Sequence, residues 1–232
     1  MENLLIIAEM GSPVSLLYNY INMDGLLATG YGLENNLQDE KIDLSKEIVI
    51  DIPLKKISDF YACSTSFFVS SNNIKSSEKW YKRWEEQYSS YINATKKINT
   101  GRGAFKNYAV SLPTLQTELA CWFVVGNKIE IERLLNKYIF DLGKKRSQGF
   151  GKIKKWHILN VNSDYSLKVD NKPTRQSSTD ALHFDNSKVR QLTYKFPYFA
   201  SQFSKMCFIP EKNMFDFEEF EKLFKINLKE LL

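Results

Sequence analysis

Apolar residues at Ile131, Leu134, Leu135, Tyr138, Ile139 and Leu142 fall at i, i+3, i+4, i+7, i+8 and i+11. That is one stripe of an α-helix, predicted to run to Leu142. Asn127 is the expected N-cap, with Glu130 three residues on, and Gly143 stands where a left-handed C′ residue belongs. Ile153 to Val161 reads as a strand. Upstream, Leu4 to Glu9 predicts a buried strand broken by Gly11, Ser12 and Pro13. Met23 to Gly32 predicts a helix with Asp24 as its cap; Gly25, Gly30 and Gly32 weaken that helix unless they permit close packing. Glu47 to Leu54, with Ile48, Ile50, Ile52 and Leu54 on one face, and Tyr61 to Ser70 read as strands, joined to the preceding helix by a polar connection over residues 35–45. Thr117 to Val125 alternates cleanly: Leu119, Cys121, Phe123 and Val125 face one way, Trp122 and Val124 the other. Residues 162–180 read as a polar loop and residues 192–210 as an aromatic cover for the sheet. Asp216 with Glu219 forms a capping box for a last helix carrying Phe220, Leu223, Phe224, Leu228 and Leu231.

The order β, α, β, insertion, β, α, loop, β predicts an α+β chain with a ferredoxin-like (RRM-like) split βαβ fold. We divide residues 1–232 into a single domain, a basic aromatic insertion at 72–112 and a C-terminal extension at 162–232. The insertion holds eight Lys or Arg and three Glu. Trp80, Trp84, Tyr88 and Tyr91 follow helical spacing. This stripe is either a helix face packed on the core or on a partner, or a platform for stacked nucleobases flanked by Lys82 and Arg83. Thr100 to Lys106, with Arg102 and Lys106 among its glycines, is a second small cationic loop or a hairpin turn.

Between the second helix and the last strand lies Gly143-Lys144-Lys145-Arg146-Ser147-Gln148-Gly149-Phe150-Gly151-Lys152. Six cationic side chains fall between Lys144 and Lys155, and no acid lies between Asp141 and Asp164. Glycines allow positive φ and close approach of a ligand to the main chain, and successive N–H groups can cradle an anion. Phosphate is the natural occupant; a turn with solvated lysines is the other reading. A nucleotide P-loop is excluded because Gln148 stands where its second glycine is required, and a dinucleotide fingerprint because only Gly149-Phe150-Gly151 is present, after a helix. The loop shares only its middle with the KGFGFVxF motif of RRM modules, whose sheet face is a place to lay single-stranded RNA, and it leads into the last strand instead of the third.

The net charge of +5 in 232 residues favours an anionic partner, and 43% hydrophobic residues suffice for a sizeable core. Cys63, Cys121 and Cys207 are scattered, each in an apolar run, so reduced core thiols and a cytoplasmic location are expected. No signal peptide, membrane span, metal site or cofactor is expected. Asn93-Ala94-Thr95 is a glycosylation sequon by pattern alone.

The segment Leu142 to Lys152, following an amphipathic helix, resembles the glycine-rich loop of the RAMP superfamily of CRISPR-associated proteins. Within it, Met23 to Ala28 after the first strand and Thr100 to Lys106 before the third resemble the type IV subunit that caps the 5′ handle of the guide RNA. The resemblance spans roughly residues 4–161. It implies a non-catalytic, guide-RNA-binding subunit of an RNA-guided effector complex, in which the loop holds RNA phosphates and Lys144, Lys145, Arg146 and Lys152 neutralise charge. The insertion, with Lys82, Arg83, Trp84, Arg102 and Lys106, would be a thumb over the RNA. Implied partners are the backbone subunit it caps, a large subunit and, through the complex, target DNA. The alternative is a metal-independent endoribonuclease processing the guide-RNA precursor. Such enzymes in the superfamily often carry a His near the first helix, and none precedes His157 here. His157 reads as structural, and His183 with Asp185 as a weak loop pair.

Overall fold

A computed structural model describes residues 1–16, 20–37, 50–85, 87, 98–185 and 187–228. In chain order its principal elements are β1 (Glu2–Met10), β2 (Val14–Ser15), α1 (Met23–Glu34), β3 (Phe67–Val69), β4 (Ile74–Lys82), β5 (Tyr108–Gln116), β6 (Leu119–Gly126), α2 (Lys128–Tyr138) and β7 (Ile153–Asn160). There follow β8 (Ser177–Ser178), β9 (Val189–Thr193), β10 (Ser204–Phe208), β11 (Met214–Phe215) and α3 (Phe217–Phe224). The fold is mixed α and β. Its main sheet has the order β11-β3-β6-β1-β7. β1 lies antiparallel between β6 and β7, with Ile6 opposite Trp122 and Ile158, and β3 is antiparallel to β6. Only the added edge β11 runs parallel to its neighbour.

Period-two alternation on these strands splits the core in two. Leu4, Ile6, Ala8, Trp122, Val124, Trp156 and Ile158 pack with Met23 and Leu27 of α1 and with Ile131, Leu134 and Leu135 of α2. Leu5, Ile7, Phe67, Cys121 and Phe123 pack with Phe215, Phe220, Phe224 and Leu228. The Phe123 and Phe224 rings lie 4.4 Å apart, and Phe67 sits 5.2 Å from Phe224. Both faces of the sheet are therefore covered. The face away from α1 and α2 is covered by Tyr165, Val169 and residues 215–228, α3 among them, and not by the predicted cover 192–210, of which Phe196 packs on the opposite core. That predicted cover contributes to a separate sheet, β8-β10-β9.

The helices follow the pattern with corrections at their ends. Asn127 accepts from the Glu130 N–H, and Asp216 from the Glu219 N–H at 2.8 Å. Leu231 lies outside the described residues. α2 stops at Tyr138, although Ile139 and Leu142 stay buried. The reason is a competing ladder: Leu142 N–H donates to Gly151 O at 2.8 Å, Ile153 N–H to Phe140 O at 3.0 Å, and the Trp156 indole to Ile139 O. Gly143 is accordingly no helix C′ residue. Asn22, not Asp24, occupies the N-cap of α1. None of the three glycines of α1 is required by close packing: a Cβ at Gly30 or Gly25 would make ordinary contact with Leu134 and Tyr138 or with Tyr198, and one at Gly32 would meet open space. Arg133 of α2 forks onto Glu34 of α1.

One predicted strand dissolves and another is cut down, the Tyr61–Ser70 run keeping only its end in the main sheet as β3. Residues 47–49 lie outside the described residues, and 50–54 form only an isolated bridge, Leu54 to Gly126, although Ile52 and Leu54 are buried. The Tyr61–Ser70 run is interrupted because its middle bonds to loops: Thr65 N–H donates to Thr174 O and Ser66 N–H to Ile21 O. The predicted helix over the insertion is replaced by the hairpin β4–β5, paired from Ile74–Gln116 to Lys82–Tyr108. Cross-strand hydroxyl pairs, Ser76 with Thr114 at 2.7 Å and Ser77 with Ser111, favour that pairing over a helix. Tyr88 and Tyr91 lie outside the described residues, as do the sequon and most of the 35–45 connection. The supposed polar loop 162–180 carries a buried segment, Thr174 to Ser178. Cys63, Cys121 and Cys207 are free and buried.

Glu118 ties the end of β3 to the start of β6, accepting from Ser70 Oγ, Ser71 Oγ and Ser71 N–H. The Ser71 bonds, above all, hold its carboxyl below the ordinary 4.5. A depressed folded value means stabilisation present above the unfolded value and lost as pH falls through the folded one. In acid titration followed by circular dichroism, Glu118→Gln is expected to lose less stability below pH ~4.5 than the parent. An identical acid limb would contradict this linkage.

Candidate nucleic-acid interface

The glycine loop is anchored on both sides and exposed along its crest. Asp141 and Lys152 bridge its neck, and the Lys152 ammonium reaches Asp141 at 2.9 Å. Lys144 N–H donates to Ser15 O at 2.8 Å, and Gly151 N–H to Pro13 O at 2.8 Å. Ser12 serves both strands of the loop: its hydroxyl donates to Gly149 O at 2.7 Å and accepts from Lys152 N–H at 2.8 Å. The Gly11-Ser12-Pro13 punctuation, read from sequence only as a strand break, is thus the loop's buttress.

Two glycines are required sterically. Gly143 has φ +76°, and a Cβ there would stand 2.4 Å from Ser15 O; Gly151 has φ +71°, and its Cβ would stand 1.9 Å from Leu142 O. Gly151→Ala is expected to cost at least ~2 kcal/mol in urea unfolding, from the left-handed backbone plus the clash. A change under ~0.5 kcal/mol would show the neck is not closed as described. Gly149, at φ +91°, has open space around it.

Between these fixed points Arg146–Gln148 makes a 3-10 turn entered through a left-handed Lys145, φ 58°. Gln148 N–H returns to Lys145 O and Gly149 N–H to Arg146 O. The N–H groups of Lys145, Arg146 and Ser147 have no partner among the described residues, as expected at the start of a helical turn. Lys144, Lys145, Arg146, Ser147 and Gln148 are all exposed. No carboxylate pairs with Lys144, Lys145 or Arg146 among the described residues, whereas Lys152 is held by Asp141. The arrangement offers free backbone donors and three unneutralised cations on one crest, the requirements for binding phosphates.

Phe150 turns inward, 6% exposed, and its ring meets Trp80 of β4 at 6.3 Å edge-on. That contact, with the pairing of β2 on β5 through Val14–Leu115 and Ser15–Thr114, docks the hairpin beside the loop. The remaining predicted site residues gather at the hairpin's far end. The Lys82 ammonium donates to Ala104 O at 2.5 Å, Arg83 lies 5.6 Å from the Tyr81 ring, and Trp84 packs edge-on against Phe105 at 4.8 Å. Arg102 and Lys106 are exposed on the turn, where Asn107 N–H closes onto Thr100 O at 2.8 Å. The structure thus forms two cationic groups, one on the loop and one at the tip of an arm rooted next to it.

The predicted histidines sit apart from both groups. His157 bonds Glu9 across the β1–β7 ladder at 2.5 Å, and His183 bonds Asp185 at 3.1 Å. Among the described residues no His, Cys, Asp and Glu cluster could hold a metal. No helix among them is long and apolar enough to cross a membrane. Sequence reasoning missed a buried polar centre. Arg175 donates to Tyr61 O at 2.6 Å, Tyr194 O at 2.9 Å, Tyr198 Oη at 3.1 Å and Asp24 Oδ2 at 3.4 Å. Tyr198 donates to Asp24, and burial followed by the Asp24 charge pushes its hydroxyl well above the ordinary value, keeping the proton in place. Burial and the same Asp24 push the Cys63 thiol up to about 12, so it is no nucleophile.

The family model of CRISPR type IV associated protein Csf3 matches residues 63–210. The chain belongs to the Csf3 family. The match takes in β3, the β4–β5 hairpin, β6, α2, the glycine loop, β7 and the β8-β10-β9 sheet. It therefore contains both cationic groups and Arg175, while Asp24 and the Ser12 buttress precede it. A search of curated proteins returned no match.

Proposed function

We propose that this Csf3-family chain is a non-catalytic, guide-RNA-binding subunit of a type IV CRISPR effector complex, located in the cytoplasm. The glycine loop holds phosphates of the 5′ handle, and the chain caps the filament of backbone subunits. The observation that carries this reading is the loop crest: free N–H groups at Lys145, Arg146 and Ser147 beside three cations without carboxylate partners. Phosphate contacts of this kind position RNA without reading its bases. The hairpin acts as the thumb, with Lys82, Arg83, Trp84, Arg102 and Lys106 at its tip. Lys152 contributes its backbone more than its charge, since Asp141 occupies its ammonium.

A ferredoxin-like, RAMP-type core is supported by the strand order. Taking β1, β3, β6 and β7 as first to fourth, the sheet runs 4-1-3-2 with antiparallel neighbours, and α1 and α2 share one face. Closure of the other face by α3 moves the RNA site to the loop and hairpin. Backbone and large subunits are the protein partners, with target DNA reached through the complex.

Purified protein incubated with its repeat RNA in EDTA is expected to retain the RNA uncut. A discrete cut abolished by His157→Ala would overturn the non-catalytic reading and favour guide-RNA processing.

A further inference from the structure

The register Trp80–Val110 and Lys82–Tyr108 puts these side chains on one face of the β4–β5 hairpin, together with the pair Glu78–Leu112. This is the face that meets the glycine loop, since Trp80 rests on Phe150. Along it, burial fades from root to tip. Leu112 is buried and Trp80 half-buried, whereas Val110 is 41% and Tyr108 43% exposed. Phe105 follows at the turn, also exposed, beside Trp84. An apolar strip therefore runs from the loop to the tip. It joins the two cationic groups, with the crest at its root and Arg102 and Lys106 at its end.

The strip's length and chemistry define what lies on it. Contiguous exposed apolar side chains mark sites of contact. From Leu112 to Tyr108 the strand advances about 14 Å at ~3.4 Å per residue, the length of about four stacked bases. Glu78, opposite Leu112, is exposed and pairs with no cation among the described residues. A carboxylate repels phosphates and accepts from base N–H groups. It therefore turns the bases of a passing strand toward the face and the backbone away. An aromatic and aliphatic row between two phosphate-binding groups, with an acceptor beside it, matches the bases of one unpaired strand. In a duplex those bases are already stacked on one another.

We propose that single-stranded RNA leaving the loop crest is laid along this face, with one base stacked on the Tyr108 ring, a neighbouring base against Val110 and Trp80, and the backbone turned toward solvent. The inference rests on the reading of the glycine loop as a phosphate cradle. It gives the middle of the hairpin a stacking role, separate from the charged contacts at its tip and tolerant of base identity.

The test separates stacking from charge. RNA that co-purifies with the native complex is resynthesised with a 3′ fluorophore, and its binding to the full chain is followed by anisotropy at several salt concentrations. Tyr108→Ala is expected to weaken binding about 10-fold, in line with the loss of one stacked base. The slope of log K against log salt should stay within ~0.3 of the parent, because no phosphate contact is removed. Tyr108→Phe should bind within ~2-fold of the parent, since a ring is all that stacking needs. An abasic nucleotide moved through the RNA should cost the parent about 10-fold at the stacked position, and Tyr108→Ala under ~3-fold there. The scan on the parent uses unaltered protein, so it carries the test if Tyr108→Ala does not fold. RNA binding that depends on Lys144, Lys145 and Arg146 but shows a flat scan would overturn the stacking proposal alone. So would full affinity, or a flattened salt slope, in Tyr108→Ala. RNA binding indifferent to those three cations would overturn the loop reading and this inference with it.

Discussion

Replacing Lys144, Lys145 and Arg146 together by Ala is expected to weaken RNA binding about 100-fold at ~0.1 M salt and to flatten the salt dependence by about two units. Each phosphate neutralised on a single strand contributes about 0.7 to the slope of log K against log salt, and three cations are at stake. The three side chains are exposed and unpaired among the described residues, so their removal should leave the fold intact. Stability surveyed alongside affinity is expected to change by less than ~0.5 kcal/mol. Lys152→Ala is expected to weaken binding less than any one of the three, because Asp141 already neutralises that ammonium. Anisotropy titrations at several salt concentrations check both statements. An unchanged slope in the triple variant would mean that RNA, if bound, lies elsewhere.

Arg175→Leu is expected to destabilise the chain by about 3–5 kcal/mol, the cost of breaking a buried ion pair from one side. The guanidinium is fully buried and draws together carbonyls of Tyr61, Cys63 and Tyr194 with the Asp24 carboxylate and the Tyr198 hydroxyl. Leu in its place leaves Asp24 buried with the Tyr198 hydroxyl, the Gly25 N–H and the Cys63 thiol, none of them charged, as partners. Arg175→Lys is expected to restore part of the loss, since an ammonium keeps the charge but not the five-donor fork. Urea denaturation gives the comparison. A loss below ~1 kcal/mol in Arg175→Leu would show that the centre is not a joint between α1 and the C-terminal sheet.

What the sequence made legible followed from periodicity and local capping. The alternation of Leu119 to Val125 correctly divided the two cores, because side chains on a paired strand have no choice of face. Asn127 and Asp216 cap as their spacing required. The glycine loop was visible through its residue types, and positive φ at Gly143, Gly149 and Gly151 follows the same logic. What stayed hidden depended on long-range partners. The Trp80–Trp84 spacing fits a helix as well as a strand when the opposite strand is unknown, and β5 decided the matter. The end of α2 was set by Gly151 and Ile153, beyond the helix's own sequence. Arg175 gave no local sign of burial because, apart from the neighbouring Gln176 carbonyl, its acceptors come from residues 24, 61, 63, 194 and 198. The covering of the sheet's second face by Phe220 and Phe224 was readable as an amphipathic helix but not as a lid on that particular face.

The central claim is that the crest between Gly143 and Lys152 cradles RNA phosphates. Photocrosslinking of the intact native complex, followed by mass spectrometry of RNA-linked peptides, tests it most directly. The account predicts crosslinks on the peptide spanning Lys144 to Lys152, with further ones at the hairpin tip around Trp84 and Phe105. Crosslinks confined to other surfaces, with that crest unmodified while RNA is bound, would contradict it.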